Sequence, residues 1–305
     1  MEVFVKRIDA ILAGDLHVRA DSPLCRTDDY QESQWTKLEF IANLCRENNA
    51  PLLVSGDIGH RAAWPCWLLE KFMATFKGVA IVACLGQHDL PAHSLDETWR
   101  SGCGVLARAG ILFLGATKLH TPARMFIRPS HYGVEPINSV PKGYKTILLT
   151  HQMVIEEKEE WPGQIATKGH QLLKKHPEYL FIVSGDNHKP FVVTEEIDTY
   201  RVLVNPGSMM RMTAAQATHR PRVYALDTTF QEVEPIYLPI KEGVVDRQHI
   251  EVAAQRDSRM VAFIEHVKTD YSTVFDFNEN LTMHMEHNKT REGVKEKIWA
   301  ALGEK

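Results

Sequence analysis

The chain has 305 residues, 44% of them hydrophobic and 24% charged, which is enough for one large domain or for one domain with a small addition. Its net charge of −4 excludes nucleic-acid binding by overall basicity, although it allows a local basic patch. The five cysteines are widely spaced without a C-x-x-C pair, and the N-terminal apolar run is too short for a signal peptide or a membrane helix, so we expect a cytoplasmic protein without disulfides or a membrane partner.

The first 190 residues alternate short apolar runs with helical patterns. Helices are predicted from Trp35 to Leu44, where four apolar residues recur at helical spacing, and from Trp67 to Phe76. The runs predicted as buried strands are Ile8 to Ala13, Leu52 to Ser55, Val79 to Leu85, Ile111 to Leu114, Thr146 to Thr150 and Leu180 to Ser184. Such alternation is typical of a mostly parallel sheet covered by helices.

The pattern changes after residue 188. Four strand-like segments (FVVTEEI, YRVLVNPGS, PRVYALDT and VEPIYLPI) follow without helices between them, which predicts antiparallel hairpins or a second sheet. From about Lys241 the chain is charged, with helical patterns near Val252 to Val267 and Val294 to Leu302. We therefore predict a main domain over residues 1–240 and a small, mainly helical C-terminal region over residues 241–305.

Carboxylates and imidazoles follow five of the predicted strands, at the point where each strand ends. They are Asp15 and His17 in GDLH, Asp57 in GDIGH, His88 and Asp89 in GQHD, His151 in ILLTH, and Asp186 and His188 in GDNH. Parallel strands bring their carboxyl ends to one edge of a sheet, so we expect these side chains to meet in one crevice. A glycine precedes the first polar residue in four of the five motifs, which permits a sharp exit from the strand.

This residue set predicts a site for two metal ions. Imidazole and carboxylate together suit Mn²⁺, Fe²⁺ or Zn²⁺ better than Ca²⁺, which takes oxygen ligands. Two such ions ~4 Å apart can clamp a phosphate and activate water between them. Each motif alone also occurs as an ordinary turn, and a single His such as His151 is often a core residue. The order of all five at strand ends is what favours a metal site.

On these motifs the chain resembles the calcineurin-like metallophosphoesterases, whose order is D-x-H, G-D, G-N-H-D/E, H and G-H-x-H. The resemblance covers about residues 8–240. It implies an α/β fold of the metallophosphoesterase type, a β-sandwich flanked by helices, here with a small C-terminal helical appendage. It also implies phosphoester hydrolysis by a hydroxide that bridges two divalent ions.

The same resemblance implies a role for each motif residue. The first metal would be held by Asp15, His17 and His188, and Asp57 would bridge both metals. The second metal would be held by Gln87, His151 and Asp186. His88, oriented by Asp89, would be the catalytic group that contacts the phosphate and assists the leaving oxygen.

Two positions depart from the family pattern, and both belong to the second metal. Gln87 replaces the family Asn, and Asp186 replaces the first His of the last motif. Either residue still offers an oxygen ligand, so the site favours Mn²⁺ or Mg²⁺ over zinc. We expect Mn²⁺, with Mg²⁺, Fe²⁺ and Zn²⁺ as alternatives; weak binding at this site, with one ion lost on purification, fits equally well.

Within the superfamily, the chain is most similar to SbcD-type DNA repair nucleases, especially their phage-encoded relatives. His60 in GDIGH, the segment Asn205-Pro-Gly-Ser208 and the helical appendage carry this narrower resemblance. It implies DNA as the substrate, an SbcC-like ATPase as a partner and a homodimer as an assembly. The C-terminal region would then cap the site or bind the partner.

Several basic residues lie close in sequence to the motif loops. Those predicted to meet the phosphate backbone, together with His60, are Arg19, Arg26, Arg61, Lys189 and Arg211. The alternative is that they are solvated loop residues. Tyr30 either stacks on a base or belongs to a segment that caps the next helix, with Asp28 or Asp29 at the N-cap.

Three functions remain open from the sequence. The leading one is a metal-dependent phosphodiesterase acting on DNA, as an exonuclease or an endonuclease. The second is a phosphomonoesterase or small phosphodiesterase acting on nucleotides or phosphoproteins. The third is a degenerate domain, weakened at Gln87 and Asp186, that serves as a binding module.

Overall fold

A computed structural model describes residues 7–159, 163–196, 199–247, 256–264 and 277–303. Its strands are β1 Ala10–Ala13, β2 Leu52–Ser55, β3 Ile81–Cys84, β4 Leu112–Phe113, β5 Thr117–Leu119, β6 Met125–Ser130, β7 Lys145–His151, β8 Val154–Ile155, β9 Thr167–Lys168, β10 Phe181–Gly185, β11 Phe191–Glu196, β12 Tyr200–Asn205, β13 Arg222–Asp227 and β14 Glu232–Tyr237. Its α-helices are α1 Tyr30–Glu47, α2 Cys66–Thr75, α3 Gly102–Arg108, α4 Gly169–Lys175, α5 Phe277–His287 and α6 Glu292–Leu302. Short 3₁₀ helices cover Gln87–Asp89, Pro91–His93, Leu95–Arg100 and Ala214–Gln216.

In the described part of the main domain, the strands form two six-stranded sheets and a small sheet of β8 and β9. The first has the order β14-β13-β1-β2-β3-β4, with β1 to β4 parallel and β13 and β14 antiparallel at one edge. The second has the order β11-β12-β10-β7-β6-β5, with β6, β7, β10 and β12 parallel. Strands β11 and β5 pair antiparallel at its two edges. The predicted β-sandwich flanked by helices is confirmed.

The alternation of side chains along the strands produces the layers. In β1, Leu12 packs in an apolar cluster with Leu149 and Val183 of the second sheet, whereas Ile11 packs with the helices on the outer face. On the second sheet, Leu148 and Ile182 pack in a separate cluster with residues of α4. Every residue of β1, β2, β3 and β10 is buried, because both faces of the central strands are covered.

Helix α1 covers the first sheet as its apolar spacing predicts. Trp35, Leu38 and Ile41 are buried in the cluster that also contains Ile11. The helix begins after Asp29, whose side chain accepts a hydrogen bond from the Glu32 amide at 2.9 Å. The predicted N-cap is therefore confirmed. Tyr30 is 1% exposed, which excludes the alternative in which its ring stacks on a base.

The chain divides into two compact units, residues 1–246 and 247–305. Residues 244 and 245 pair with the segment around Arg26, within the first unit. In the second unit, residues 256–264 are helical, and α5 and α6 share a small core of Leu281, Met285 and Ile298. Parts of the predicted helix near Val252 to Val267 lie outside the described residues. The role of this region as a cap or partner-binding element stays a prediction.

Within the described ranges, none of the helices combines the length and the apolar character that crossing a membrane requires.

Candidate metal centre

The five motif loops meet at the carboxyl ends of strands from both sheets. Those after β1, β2 and β3 come from the first sheet, and His151 and Asp186 stand at the ends of β7 and β10 in the second. The sequence-based expectation of a single sheet edge is therefore wrong. Within each sheet, the register of the parallel strands aligns their carboxyl ends. The stacking of the two sheets then brings the two sets of strand ends together, and the Ser55 hydroxyl in β2 donates a hydrogen bond to the Ser184 carbonyl in β10 at 2.9 Å.

The backbone is left-handed at the residues that follow the strands. The φ angles are 47° at Asp15, 45° at His17, 48° at Asp57 and 78° at Asp186. Non-glycine residues rarely adopt this region, and such strain concentrates at functional sites. Here it turns each side chain back toward the others immediately after its strand ends.

Two glycines are required by close approach. A Cβ on Gly86 would lie 2.0 Å from the Asp57 Oδ1, and Gly56, at φ +93°, lies against the His151 ring. Any larger residue would displace the carboxylate or the imidazole. The glycines noted before the motif carboxylates thus hold the loops close enough to share ligands.

The residues predicted for the first metal lie together. One ligand atom from each of Asp15, His17 and His188 falls within 4.8 Å of the others. The Nε2 atoms of His17 and His188 are 3.1 Å apart, and the Asp57 Oδ2 lies 3.7 Å from the His17 Nε2. Imidazole nitrogens that face each other at this distance can share one proton or coordinate one cation.

The residues predicted for the second metal adjoin the first group through Asp57. The His151 Nε2 lies 3.4 Å from the Asp57 Oδ2 and 4.0 Å from the Asp186 Oδ1. The Gln87 amide donates to the Asp186 Oδ1 at 2.8 Å. The His151 Nδ1 donates to the Ser55 carbonyl at 2.7 Å, which leaves Nε2 as the nitrogen available for coordination.

The hydrogen bonding of the buried ligand atoms indicates whether these residues suit a metal ion. The Asp15 Oδ2 and the Gln87 Oε1 are buried and find no hydrogen-bond partner among the described residues, and the buried His151 Nε2 has only its ion-pair contact with the Asp57 Oδ2 at 3.4 Å. Burying such atoms costs about 1–3 kcal/mol each unless something satisfies them. All three are oxygen or nitrogen donors of the type that Mn²⁺, Fe²⁺ or Zn²⁺ accepts, so the residues fit the two ions.

Burial and mutual contact shift the pKa values in this cluster. Burial raises the pKa of Asp15 to about 8 and lowers the pKa of His17 well below its usual value. Burial also opposes the charged forms of Asp57 and His151. The attraction between these two groups outweighs burial, so it lowers the pKa of Asp57 to about 2 and raises the pKa of His151 to about 10. Cation binding at neutral pH would therefore displace protons from Asp15 and His151.

His88 differs from the other imidazoles in exposure. Its side chain is 41% exposed, whereas that of His151 is fully buried and that of His17 is 2% exposed. The His88 Nδ1 donates to the His60 carbonyl at 2.9 Å, and its Nε2 lies 4.0 Å from the Asp57 Oδ2. This nitrogen is placed to contact a substrate beside the ligands.

Asp89 does not hold the His88 ring, which corrects the role expected for it. Its buried carboxylate accepts hydrogen bonds from the backbone amides of Ile58, Gly59 and Gly86 at 2.8 to 3.2 Å. Those amides belong to the loops that carry Asp57 and His88. Asp89 therefore fixes the two loops against each other and acts on the site indirectly.

The predicted substrate-binding residues separate into two groups. Arg19, His60 and Arg61 line one cleft beside the cluster, and Lys189 is exposed in another. Arg211 is only 4% exposed, and its guanidinium donates to the backbone carbonyls of Ala217 and Lys241. Arg26 has a buried side chain and pairs with Asp28. Their placement opposes a substrate-binding role for Arg26 and Arg211, because their donors are already used inside the fold.

Some contacts that support the site were not predicted from the sequence. The His131 Nδ1 accepts from the Leu85 amide at 3.0 Å, just before the GQHD loop, and nothing in the sequence around His131 marks it. The Asn205 side chain donates to the Asn187 carbonyl at 2.6 Å within the loop of the last motif. Ser55 is a polar residue in an otherwise apolar run, a signal that could have indicated its contact with His151.

Comparisons with known proteins bear on this arrangement. The sequence pattern of the family described as Calcineurin-like phosphoesterase matches residues 10–190, more than half of the chain. The chain belongs to this family. The matched residues contain all seven predicted metal ligands together with His88 and Asp89.

Two solved structures are similar to this member of the calcineurin-like family. One is the protein TT1561 of Thermus thermophilus, with 12% identity, 77% of this chain and 100% of that chain covered, and a TM-score of 0.47. The other is a metallophosphoesterase from Sphaerobacter thermophilus, with 10% identity, 76% and 89% covered, and a TM-score of 0.36. A search of the curated proteins found no significant match.

The oxygen-rich second site predicts a metal preference. Because Gln87 and Asp186 offer only oxygen, we expect activity to require added Mn²⁺, and Zn²⁺ alone to restore about a tenth of it or less after chelation. Changing Gln87→Asn together with Asp186→His should tighten the second ion and broaden the metal choice. Calorimetric titration of both proteins with Mn²⁺ and Zn²⁺ measures this. Equal affinities for both metals in both proteins would mean that these residues do not face the second ion.

Proposed function

We propose that this calcineurin-like phosphoesterase is a phosphodiesterase that hydrolyses DNA with two divalent ions, of which Mn²⁺ is the preferred one. The sequence resemblance to SbcD-type nucleases and the surroundings of the metal centre support the proposal. Exonuclease and endonuclease action are both compatible with it. It further includes a role in DNA repair, a phage origin, a cytoplasmic location, an SbcC-like ATPase as partner and a homodimer as assembly.

The main support is that the centre has clefts on two flanks. One, of about 380 Å³, reaches it through Asp186 and His188 and carries Lys189. The other, of about 310 Å³, carries Arg19 and Arg61 and reaches the centre through His60. The two share no lining residue. A phosphodiester has an organic group on each side of the phosphorus, so it needs room on both flanks, whereas a monoester needs room on one.

Different side chains would have different roles at the phosphate. The cluster around Asp57 would hold both ions, which, when bound, neutralise charge on the phosphate oxygens and make water more acidic. His88, with its Nδ1–H held by the His60 carbonyl, presents Nε2 to the leaving oxygen and can donate a proton there. Arg61 and Lys189, which are both exposed, supply positive charge along the strand on either side.

One assay separates the candidate functions. Purified protein with Mn²⁺ is incubated with end-labelled linear duplex DNA and, in parallel, with a small phosphomonoester. We expect cleavage of DNA and at least about 10²-fold slower release of phosphate from the monoester, because only the diester occupies both flanks. The Asp57→Asn protein is the control for contaminating nucleases.

Each other outcome favours a different reading. Phosphate release without DNA cleavage would favour a phosphomonoesterase or a small phosphodiesterase acting on nucleotides or phosphoproteins. Inactivity toward both, with metal bound, would favour a binding module, for which the Gln87–Asp186 hydrogen bond at 2.8 Å gives a structural basis. Either result would refute the DNA phosphodiesterase.

A further inference from the structure

The cleft beside His60 is lined by apolar and aromatic groups as well as by charged ones, unlike a surface that contacts only the phosphate backbone. It is defined by ten residues from the loops after β1 and β2 and the start of α2: Val18, Arg19, Ala20, Asp21, His60, Arg61, Ala63, Trp64, Pro65 and Leu68. Its interior offers an indole and several aliphatic groups, and its charged members are two arginines and one aspartate. We refer to it as the Trp64 cleft.

Two buried polar atoms in the lining of this cleft lack partners. The Trp64 Nε1 and the His60 Nδ1 make no hydrogen bond to any residue that the structure describes. A buried, unsatisfied donor is costly, and native proteins generally satisfy such groups with protein, water or ligand. Trp64 packs closely against Gly59, the residue before His60. A Cβ on Gly59 would lie 2.3 Å from the Trp64 Nε1. Both atoms lie below the surface of the cleft, so an occupant would meet the accessible parts of the indole and the imidazole.

The walls of the Trp64 cleft are held in place before any ligand enters. Val18 and His60 connect the two loops, since the Val18 amide donates to the Ile58 carbonyl at 2.8 Å and the His60 amide to the Val18 carbonyl at 3.0 Å. On the other side, the Gly102 amide donates to the Ala62 carbonyl at 2.7 Å. A preformed cleft loses little entropy on binding, which is typical of small-molecule sites.

Size and charge restrict the occupant. A volume of about 310 Å³ lies at the small end of ligand sites and is too small for a base pair with its backbone. Arg19 pairs with Asp21 through two hydrogen bonds of 2.6 and 3.0 Å, while Arg61 is exposed at the rim. The net positive rim suits a phosphate, and the indole and aliphatic interior suits a flat heterocycle.

We propose that the Trp64 cleft binds one unpaired nucleobase of the DNA strand, on the His88 side of the phosphate that is cleaved. The inference rests on the proposed function. The His60 ring stacks at 5.6 Å on the ring of His88, so the cleft lies beside the group assigned to the leaving oxygen. The nucleotide on the leaving side therefore enters this cleft, and a strand must be unpaired at that position to be cut.

The test measures binding by the full-length, chelated protein, so that it does not depend on turnover. Indole N–H signals are followed by ¹H–¹⁵N NMR during titration with thymidine 5′-monophosphate and with 2-deoxyribose 5-phosphate, which lacks the base. Trp64→Phe assigns the Trp64 signal. We expect this signal to shift with the nucleotide, and the nucleotide to bind about 10-fold tighter than the sugar phosphate, as stacking of one base contributes.

Two matched variants locate the effect. Ala63 is exposed in the Trp64 cleft, and Ala215 is exposed in the cleft beside His188. Ala63→Trp should fill the first cleft and remove the 10-fold preference, whereas Ala215→Trp should retain it. Equal affinities of the wild type for both ligands, an unchanged Trp64 signal, or an equal response of the two variants would overturn the inference.

Failure of the proposed function gives a different result. A protein that responds to the nucleotide at Trp64 yet cuts no DNA with Mn²⁺ would refute the nuclease and leave the base site established. A protein that cuts DNA as fast when the base on the leaving side is absent as when it is present would refute the base site and leave the nuclease established.

Discussion

Replacing Asp57 with Asn should abolish both metal retention and turnover, with a loss of at least about 10³-fold in rate. The Asp57 Oδ2 lies 3.7 Å from the His17 Nε2 and 3.4 Å from the His151 Nε2, so this carboxylate lies between the two groups of predicted ligands. Asparagine has the same shape and removes the negative charge that two cations would share. Metal content by elemental analysis and hydrolysis rate should therefore fall together.

The fold should survive this change. The Asp57 Oδ1 accepts the His88 amide at 3.0 Å, and the amide oxygen of Asn can accept the same bond. Thermal unfolding of the chelated protein checks this, with Asp96→Asn, an exposed carboxylate in a 3₁₀ helix, as the matched loss of charge. An Asp57→Asn protein with full metal occupancy and a near-normal rate would contradict the two-metal assignment.

His88→Gln should slow hydrolysis by about 10²–10³-fold while both ions stay bound, which separates it from every ligand change. The side chain is 41% exposed and donates through Nδ1 to the His60 carbonyl, so its Nε2 is the nitrogen that faces a substrate. Glutamine can keep a hydrogen bond to that carbonyl but cannot transfer a proton to the leaving oxygen.

A leaving group of lower pKa gives the sharpest readout for this variant. An ester whose leaving oxygen needs no proton should lose much less rate in His88→Gln than an alkyl ester does. Elemental analysis of the same preparation checks the ions. Loss of an ion from His88→Gln would show that His88 is a ligand, and the division between ligands and the catalytic group would be wrong.

The sequence predicts the ligands of the centre well because they are local features. Asp15, Asp57 and Asp186 each follow an apolar strand and a glycine, and this spacing is visible without knowledge of the strand order. The partition of those strands between two sheets is not visible, because it depends on long-range pairing: β1 pairs with β13, more than 200 residues away. A mostly parallel pattern is compatible with one sheet or two.

Side-chain partners were predictable only where short-range geometry fixes them. The Asp29 cap lies three residues from its partner amide, whereas Asp89 reaches the amides of Ile58 and Gly59 about 30 residues earlier in the chain. The burial of Arg211 likewise depends on the Lys241 carbonyl. The closeness of Asp89 and Arg211 to the motif loops in the sequence predicted that they lie near the site. It could not predict the direction in which their side chains point.

We expect one cluster of side chains to hold two ions that share Asp57. Anomalous diffraction from crystals soaked in the Mn²⁺ concentration that supports activity tests it directly. The expected result is two peaks about 4 Å apart, one among Asp15, His17, Asp57 and His188 and the other among Asp57, Gln87, His151 and Asp186. A single peak at saturating Mn²⁺, or two peaks of which neither contacts Asp57, would contradict it.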